Sequence, residues 1–197
     1  LAKKSGTIYC PTLTVEGGYA RFASAILSKK ALPAPDDPNG CVDGETLAKL
    51  AQTSRLGAPQ RLGPSAQSPG ERITEQERVA AANLKRVAAA GIPIAMGTDA
   101  GNPLTLHGPS VYAEMEAMQA AGMTPTQVLV AATRGGAMAM GLEKEIGTVE
   151  KGKSADLLVI AGDPTADAAN LRKVRYVVRG GVVRSIEELK ATVAAGK

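Results

Sequence analysis

Hydrophobic and polar positions predict helices along most of the chain and short strands near its end. Apolar residues at helical spacing predict helices over Ala20–Lys30, Glu45–Leu56 and Thr74–Ala90. Two more helices are expected to begin with proline at the first helical position, at Pro109 and at Pro125. The chain is therefore expected to be largely helical up to the glycine-rich turns that follow the last of these helices.

Short runs of apolar and β-branched residues predict the strands. The predicted strands are Thr7–Cys10, Ile92–Met96, Leu157–Ile160, Val174–Val178 and Gly181–Val183. Gly180-Gly181 is a hairpin signal, and Ile186–Ala195 is expected to be a terminal helix. Because a helix leads directly into the apolar run Ile92–Met96, the first part of the chain has the α-β order of a parallel α/β sheet.

Two stretches interrupt this pattern. Leu32–Gly40 contains three prolines and is predicted to be an irregular loop. Gly57–Gly70 is rich in Gly, Pro, Ser and Gln and is predicted to be a long loop. Such a loop is either a lid over a site or a tolerated surface insertion, and its sequence does not distinguish the two.

Composition narrows the function classes. The 197 residues are 44% hydrophobic and 21% charged, as in globular domains. The charge of +4 is spread along the chain without a dense basic run, which argues against nucleic-acid binding.

No apolar run approaches the roughly 20 residues of a membrane span, and no signal peptide is visible. Localisation is not defined by the sequence, with the cytoplasm weakly favoured. Cys10 and Cys41 lack metal-site spacing, and partly buried free thiols are favoured over a disulfide.

The candidate chemistry lies directly after the strand predicted over Ile92–Met96. Gly97-Thr98-Asp99-Ala100-Gly101 follows it, and carboxyl ends of parallel strands are where catalytic groups project. Asp99 is either a catalytic carboxylate or a cap for the following turn, with Thr98 and Asn102 as candidates to orient it. His107, the single histidine, is either a substrate contact or ligand, or an imidazole bonded to a backbone carbonyl.

Several segments carry a family resemblance when taken in order. They are Gly97–Gly101, His107–Gly108, Ala121–Pro125, Ala131–Thr133 and Ile146–Val159. Together they resemble the carboxyl-terminal half of the metal-dependent amidohydrolases of the imidazolonepropionase and Xaa-Pro dipeptidase-like group. The resemblance is strong over Gly91–Val183, and its most diagnostic piece is G-K-x-A-D-L-x-V at Gly152–Val159.

The resemblance implies an α/β fold: the carboxyl-terminal portion of a (β/α)₈ TIM barrel followed by a small β-sandwich segment. The barrel portion would cover residues 1–145, the sandwich segment 146–185 and a terminal helix 186–197. It also implies a divalent metal, with Zn²⁺ as the first choice, bound by Asp99, which takes a proton from the attacking water. Thr98, Gly101 and His107 would contact a small-molecule substrate, and Asp156 would be structural.

One departure from the family pattern leaves three hypotheses open. The family's H-x-H pair, bridging carboxylate and further histidines would lie upstream of Leu1, where the chain begins on a pattern typical of a helix end. The chain could be a truncated amidohydrolase that hydrolyses an amide, cyclic amide or ester and is completed by an amino-terminal half. It could be a stand-alone homo-oligomer with promiscuous phosphotriester or ester hydrolysis. It could also be an inactive scaffold.

Overall fold

The computed structural model describes residues 2–57 and 69–195, and its architecture is α/β. The α-helices of these ranges are α1 (Thr14–Ser28), α2 (Gly44–Ala51), α3 (Pro69–Ala89), α4 (Pro109–Ala120), α5 (Pro125–Val130), α6 (Gly136–Ala139) and α7 (Ile186–Ala195). The strands are β1 (Leu157–Ile160), β2 (Val174–Arg179) and β3 (Val182–Ser185). Within the described ranges, no helix combines the length and apolarity needed to cross a bilayer.

Helix α1 begins at Thr14, whereas the sequence pattern predicted a start at Ala20. The difference has a tertiary cause, because the carboxylate of Glu114 accepts the first amide groups of this helix. Lys29, in the left-handed conformation with φ of 55°, ends it. Helix α2 begins at Gly44, one residue before the predicted start, and the Asp43 carboxylate accepts the Thr46 N–H at 2.8 Å. The predicted end at Leu56 is wrong, because α2 ends at Ala51 and a separate 3-10 turn covers Thr53–Arg55.

Helix α3 begins at Pro69, so the predicted start at Thr74 is wrong. Proline is well suited to the first turn of a helix, where its missing N–H leaves no bond unmade. The end of the loop predicted over Gly57–Gly70 is thus helical. Residues 58–68 of that loop lie outside the described residues, and the choice between lid and insertion stays a prediction.

The two strands predicted in the first part of the chain are reduced to one parallel bridge, between Tyr9 and Ile94. Tyr9 N–H donates to the Pro93 carbonyl at 2.9 Å, and Ala95 N–H donates to the Tyr9 carbonyl at 3.0 Å. On the other side, Met96 N–H donates to the carbonyl of Ala131 in a helix, at 3.0 Å. A helix thus occupies the side where a further strand would pair, which limits the ladder.

The segment that contacts Ile94 and Met96 is a turn of π-helix, Ala131–Gly135, which connects α5 directly to α6. A Cβ atom on Gly135 would lie 2.2 Å from the Ile94 carbonyl oxygen. Only glycine therefore allows the helix backbone to rest directly on the backbone of the parallel segment.

The hydrophobic core lies between this parallel segment and helices α3, α4 and α5. Leu84, Met118 and Val128 are each fully buried in it. Met115 is also buried and Tyr112 is half-buried, so these residues belong to the face of α4 that packs on the core. With one phenylalanine and no tryptophan in the sequence, methionine and aliphatic side chains fill this space.

Strands β1, β2 and β3 form an antiparallel meander in that order. The predicted hairpin at Gly180-Gly181 is confirmed, with φ of 55° and 82°, the two positive values of a type I′ turn. Helix α7 packs against β2 and β3. Leu157, Val159 and Val183, which the strand register places on one face of the sheet, nevertheless remain 37%, 47% and 60% exposed. The sheet therefore keeps an uncovered apolar surface within the described part of the chain.

Candidate functional site

Asp99 lies on the surface, directly after the parallel segment that contains Ile94. Its φ of 49° places it in the left-handed region, which costs an ordinary L-residue about 1 kcal/mol and which aspartate tolerates better than most. The exposed carboxylate thus follows a partly buried segment through a tight turn. This is the position at which the sequence predicted it.

Cys10 follows Tyr9 on the neighbouring parallel segment and lies against the residues that lead to Asp99. A Cβ atom on Gly97 would be 2.5 Å from the Cys10 sulfur, so the thiol rests directly on the glycine. Burial raises the pKa of the Cys10 thiol above its ordinary value, and the negative charges of Glu114 and Asp99 raise it further. Cys10 is therefore a protonated thiol at neutral pH. Cys10 was not predicted as a site residue. Its position at the end of the strand predicted over Thr7–Cys10 is the sequence feature that could have indicated it.

The turn after Asp99 is held by a compact set of hydrogen bonds. The side-chain amide of Asn102 donates to the Asp99 carbonyl at 2.9 Å. Gly101 N–H donates to the Thr105 carbonyl at 3.0 Å, and Thr105 N–H donates to the Asn102 carbonyl at 2.9 Å. Asn102 was predicted to help orient Asp99, and it contacts the backbone of that residue rather than its carboxylate.

The other predicted site residues lie along the same loop. Gly101 is exposed with φ of 107°, and Thr98 is half-buried. His107 is exposed and precedes Gly108, against which Cys41 packs: a Cβ atom on Gly108 would lie 2.9 Å from the Cys41 Cβ. Both cysteines are free, as predicted, and although both residues are exposed, partial burial of each thiol raises its pKa.

Glu114 is a buried charged residue next to this region that sequence reasoning missed. Its side chain is fully buried, and its carboxylate accepts the N–H of Leu13 at 2.8 Å and the N–H of Thr14 at 2.9 Å. Burial raises the pKa of Glu114, and these hydrogen bonds oppose the rise. The available signal was helical spacing, because Glu114 lies four residues before the inward-facing Met118.

Two cavities flank the loop. One of about 380 Å³ is bounded by Thr14 and Arg21 of α1, Leu104 and Leu106 of the loop, and Arg172. The other, of about 590 Å³, is an open cleft bounded by Ile8, Cys10, Ala95, Met96 and Met140, among others. The cleft contains the ends of both parallel segments, and Asp99 lines neither of these two cavities.

A family model for the amidohydrolase family matches residues 48–184, more than half of the chain. The chain belongs to the amidohydrolase family. The family resemblance seen in the sequence is thereby confirmed. The aspartate of its diagnostic segment, Asp156, which was expected to be structural, accepts the Gly180 N–H of the hairpin turn at 2.7 Å.

Curated members of the amidohydrolase family match parts of the chain. It is 43% identical over 86 residues to a 5-methylthioadenosine/S-adenosylhomocysteine deaminase of Moorella thermoacetica, covering 40% of this chain and 20% of that protein. It is 38% identical over 114 residues to an imidazolonepropionase of Geobacillus kaustophilus, covering 52% of this chain and 25% of that protein. The chain thus matches about a fifth to a quarter of the length of these relatives.

Solved structures of amidohydrolase type share the fold over nearly the whole chain. A bottromycin amidohydrolase matches with a TM-score of 0.61 and 22% identity, over 94% of this chain and 38% of that one. A Xaa-Pro dipeptidase matches with a TM-score of 0.58 and 20% identity, over 92% of this chain and 35% of that one. At this level of identity, the comparison concerns the fold.

The divalent metal implied by the amidohydrolase resemblance is not supported by the side chains present. Among the side chains of residues 2–57 and 75–192, no three His, Cys, Asp or Glu residues converge in a group that could hold a metal ion. Asp99 and His107 both lie on the surface, and a single carboxylate does not make the closed ligand set of a zinc site. The described residues alone therefore do not fit a metal centre.

Proposed function

We propose that this chain contributes to a hydrolytic site of the amidohydrolase type, with Asp99 as the carboxylate that accepts a proton from the attacking water. The substrate would be an amide, a cyclic amide or an ester. One observation carries the proposal: an exposed carboxylate follows a partly buried segment that pairs in parallel with its neighbour. A general base needs such an open position, because its oxygen must reach a water beside the substrate.

The chain would supply the carboxyl-terminal portion of a barrel and a β-sandwich segment, and a complementing amino-terminal half would bring the rest of the site. The parallel bridge between Tyr9 and Ile94 supports this, as does the partial coverage of each relative. In the completed site, Thr98, Gly101 and His107 would contact the substrate. His107 is exposed and so remains accessible to a partner or ligand.

A second candidate is a homo-oligomer in which copies of the chain assemble the site and hydrolyse phosphotriesters or esters. The observation that favours it is the uncovered apolar face of the sheet formed by Leu157, Val159 and Val183, because surfaces of this kind mark association sites. An inactive scaffold is the third alternative, and it is favoured by the lack of a converging ligand group in the described residues.

The experiment compares the chain alone with the chain mixed with the amino-terminal three quarters of the Geobacillus kaustophilus imidazolonepropionase. Light scattering gives the assembly, elemental analysis gives the metal content, and amide, ester and phosphotriester substrates report hydrolysis. Asp99→Asn should abolish the hydrolysis that is found, and Glu143→Gln, which changes an exposed carboxylate elsewhere, should not. Activity confined to the mixture supports complementation, and activity of the chain alone as an oligomer supports the second candidate.

Two results would count against the proposal. Full hydrolysis by Asp99→Asn would remove its assigned role, and the absence of hydrolysis in every sample would leave the scaffold as the remaining candidate.

A further inference from the structure

Two consecutive hydrogen bonds connect helix α1 to Asp99. The phenol of Tyr19 donates to the side-chain oxygen of Asn102 at 2.9 Å. The side-chain nitrogen of Asn102 donates in turn to the Asp99 carbonyl at 2.9 Å. Both ends of one amide are used, so the orientation of Asn102 is determined by Tyr19 on one side and by Asp99 on the other.

The Asp99 backbone is the element that needs such support. Its left-handed φ of 49° is unfavourable for a residue with a Cβ atom, and the free loop would relax toward a more common conformation. Asn102 opposes this relaxation twice, because its backbone N–H also points to the Asp99 carbonyl, at 3.4 Å. Rotation of the Asp99 backbone would break these contacts and would swing the carboxylate away from its present direction.

Helix α1 reaches the loop because of a glycine next to Tyr19. A Cβ atom on Gly18 would lie 2.4 Å from the Pro103 carbonyl oxygen and 2.9 Å from the Thr105 hydroxyl oxygen. The helix backbone therefore rests directly on the loop, and any larger residue would lift Tyr19 away from Asn102. Glu114 fixes the start of the same helix through Thr14. The position of Tyr19 is thus set by packing at two points of α1.

We propose that Tyr19 is a positioning residue: through Asn102, its hydroxyl holds Asp99 in the left-handed conformation and fixes the direction of the Asp99 carboxylate. This role rests on the proposed function of Asp99. Tyr19 itself is 45% exposed and is not expected to touch the substrate. Removing its hydroxyl should let the Asp99 turn fluctuate without unfolding the chain.

Cys10 provides a reporter that needs neither metal nor hydrolysis. The charge of Asp99 contributes to the raised pKa of the Cys10 thiol, after burial and Glu114. A carboxylate that leaves its present direction would therefore lower the pKa of this thiol. A lower pKa would increase the thiolate population at neutral pH, and with it the rate of labelling by a disulfide reagent.

The experiment measures the pH profile of Cys10 labelling in a Cys41→Ser background. Asp99→Asn removes the charge and sets the full effect. Tyr19→Phe should shift the profile in the same direction by part of that amount, with about twofold faster labelling at neutral pH. Tyr176→Phe is the matched control, since this tyrosine is 46% exposed and lies on β2, and its profile should equal that of the parent.

The results separate the possible roles of Tyr19. If Tyr19→Phe lowers the melting temperature but leaves the Cys10 profile at the parental position, the hydroxyl is structural only and the inference is wrong. A profile that Asp99→Asn leaves unchanged also overturns it, because the carboxylate then lies elsewhere. Since the readout is independent of catalysis, loss of the proposed function would leave the positioning of Asp99 established or refuted by itself.

Discussion

The Glu114 carboxylate accepts both the backbone N–H and the hydroxyl of Thr14, at 2.9 and 3.0 Å, across 100 positions of sequence. A fully buried side chain of α4 thus fixes the first turn of α1. The positive end of the α1 dipole also favours a carboxylate at this place. Through this contact, the turn that follows Cys10 and the helix that follows His107 are tied to each other.

Replacing Glu114 by glutamine should lower the free energy of unfolding by about 2 kcal/mol. The amide supplies one acceptor oxygen where the carboxylate supplies two, and its NH₂ group would face a backbone donor in a buried place. Urea denaturation measures the change, with Glu143→Gln as an exposed control that should stay near the parental value. Equal midpoints for the two variants would show that Glu114 does not hold α1.

Stability should also depend on pH through Glu114. Because burial raises the pKa of this carboxyl in the folded chain, the folded state binds its proton more tightly than the unfolded state does. The contribution is therefore fully present below the unfolded pKa of about 4.3 and is lost as the pH rises through the folded pKa. The difference in unfolding free energy between the parent and Glu114→Gln should shrink over this window, and a constant difference would contradict it.

Substitution by alanine should destabilise the chain at Gly135 and stabilise it at Gly136. A Cβ atom on Gly135 would lie 2.2 Å from the Ile94 carbonyl oxygen, whereas none of the surroundings of Gly136 lies within 4 Å of such an atom. Gly135→Ala should destabilise by about 2 kcal/mol through overpacking. Gly136→Ala should stabilise by roughly 0.5 kcal/mol, because alanine is the better helix former. Thermal melts of the two variants make the comparison, and a stable Gly135→Ala would mean that the helix can withdraw from the strand.

Asp99 should carry a stability cost that glycine relieves. At φ of 49°, Asp99→Gly should raise the unfolding free energy by roughly 0.5 kcal/mol, whereas Asp99→Ala should lower it. Both variants should lack hydrolysis if the proposed function holds. Chemical denaturation ranks the three proteins, and a glycine variant less stable than alanine would show that the turn is not strained.

Replacing Arg172 by lysine should lower the free energy of unfolding. Its guanidinium donates to both Glu116 carboxylate oxygens, contacts Asp36 at 2.8 Å and lies 5.3 Å from the centre of the Tyr112 ring. Lysine offers neither the planar two-point geometry nor the stacking, so Arg172→Lys should cost about 1 kcal/mol. Arg175→Lys, on exposed β2, is the control for the loss of the guanidinium. Equal unfolding midpoints for the Arg172→Lys and Arg175→Lys variants would show that the contacts of Arg172 add no net stability.

The elements that were predicted correctly are those set by neighbouring residues. The Thr124–Gln127 capping box closes within three positions, and the Gly180-Gly181 turn follows from two residues that accept positive φ. Asp43 caps α2 for the same local reason. Such signals are complete in the sequence, because the groups that satisfy each other are a few residues apart.

The missed features depend on contacts between distant residues. The start of α1 at Thr14 depends on Glu114, and the support of the Asp99 turn depends on Tyr19, which lies 83 positions from Asn102. Neither pairing leaves a mark in local propensity. The same holds for Cys10, whose position against Gly97 follows only from the parallel bridge. For the candidate site, the sequence therefore indicated Asp99 and its neighbour Asn102, but not Tyr19 and Cys10, which contact this turn from a distant part of the chain.

The bond from the Met96 N–H to the Ala131 carbonyl has a consequence for any polypeptide that would extend the parallel segment. An incoming strand would have to exchange this bond for its own, so the net gain in hydrogen bonding at Met96 would be close to zero. The π-helical turn Ala131–Gly135 thus covers the open edge of the parallel segment at Met96. Another strand could pair at this edge only after the bond between Met96 and Ala131 is broken. The rate of strand association at this edge would then depend on how fast the π-helical turn moves away from Met96.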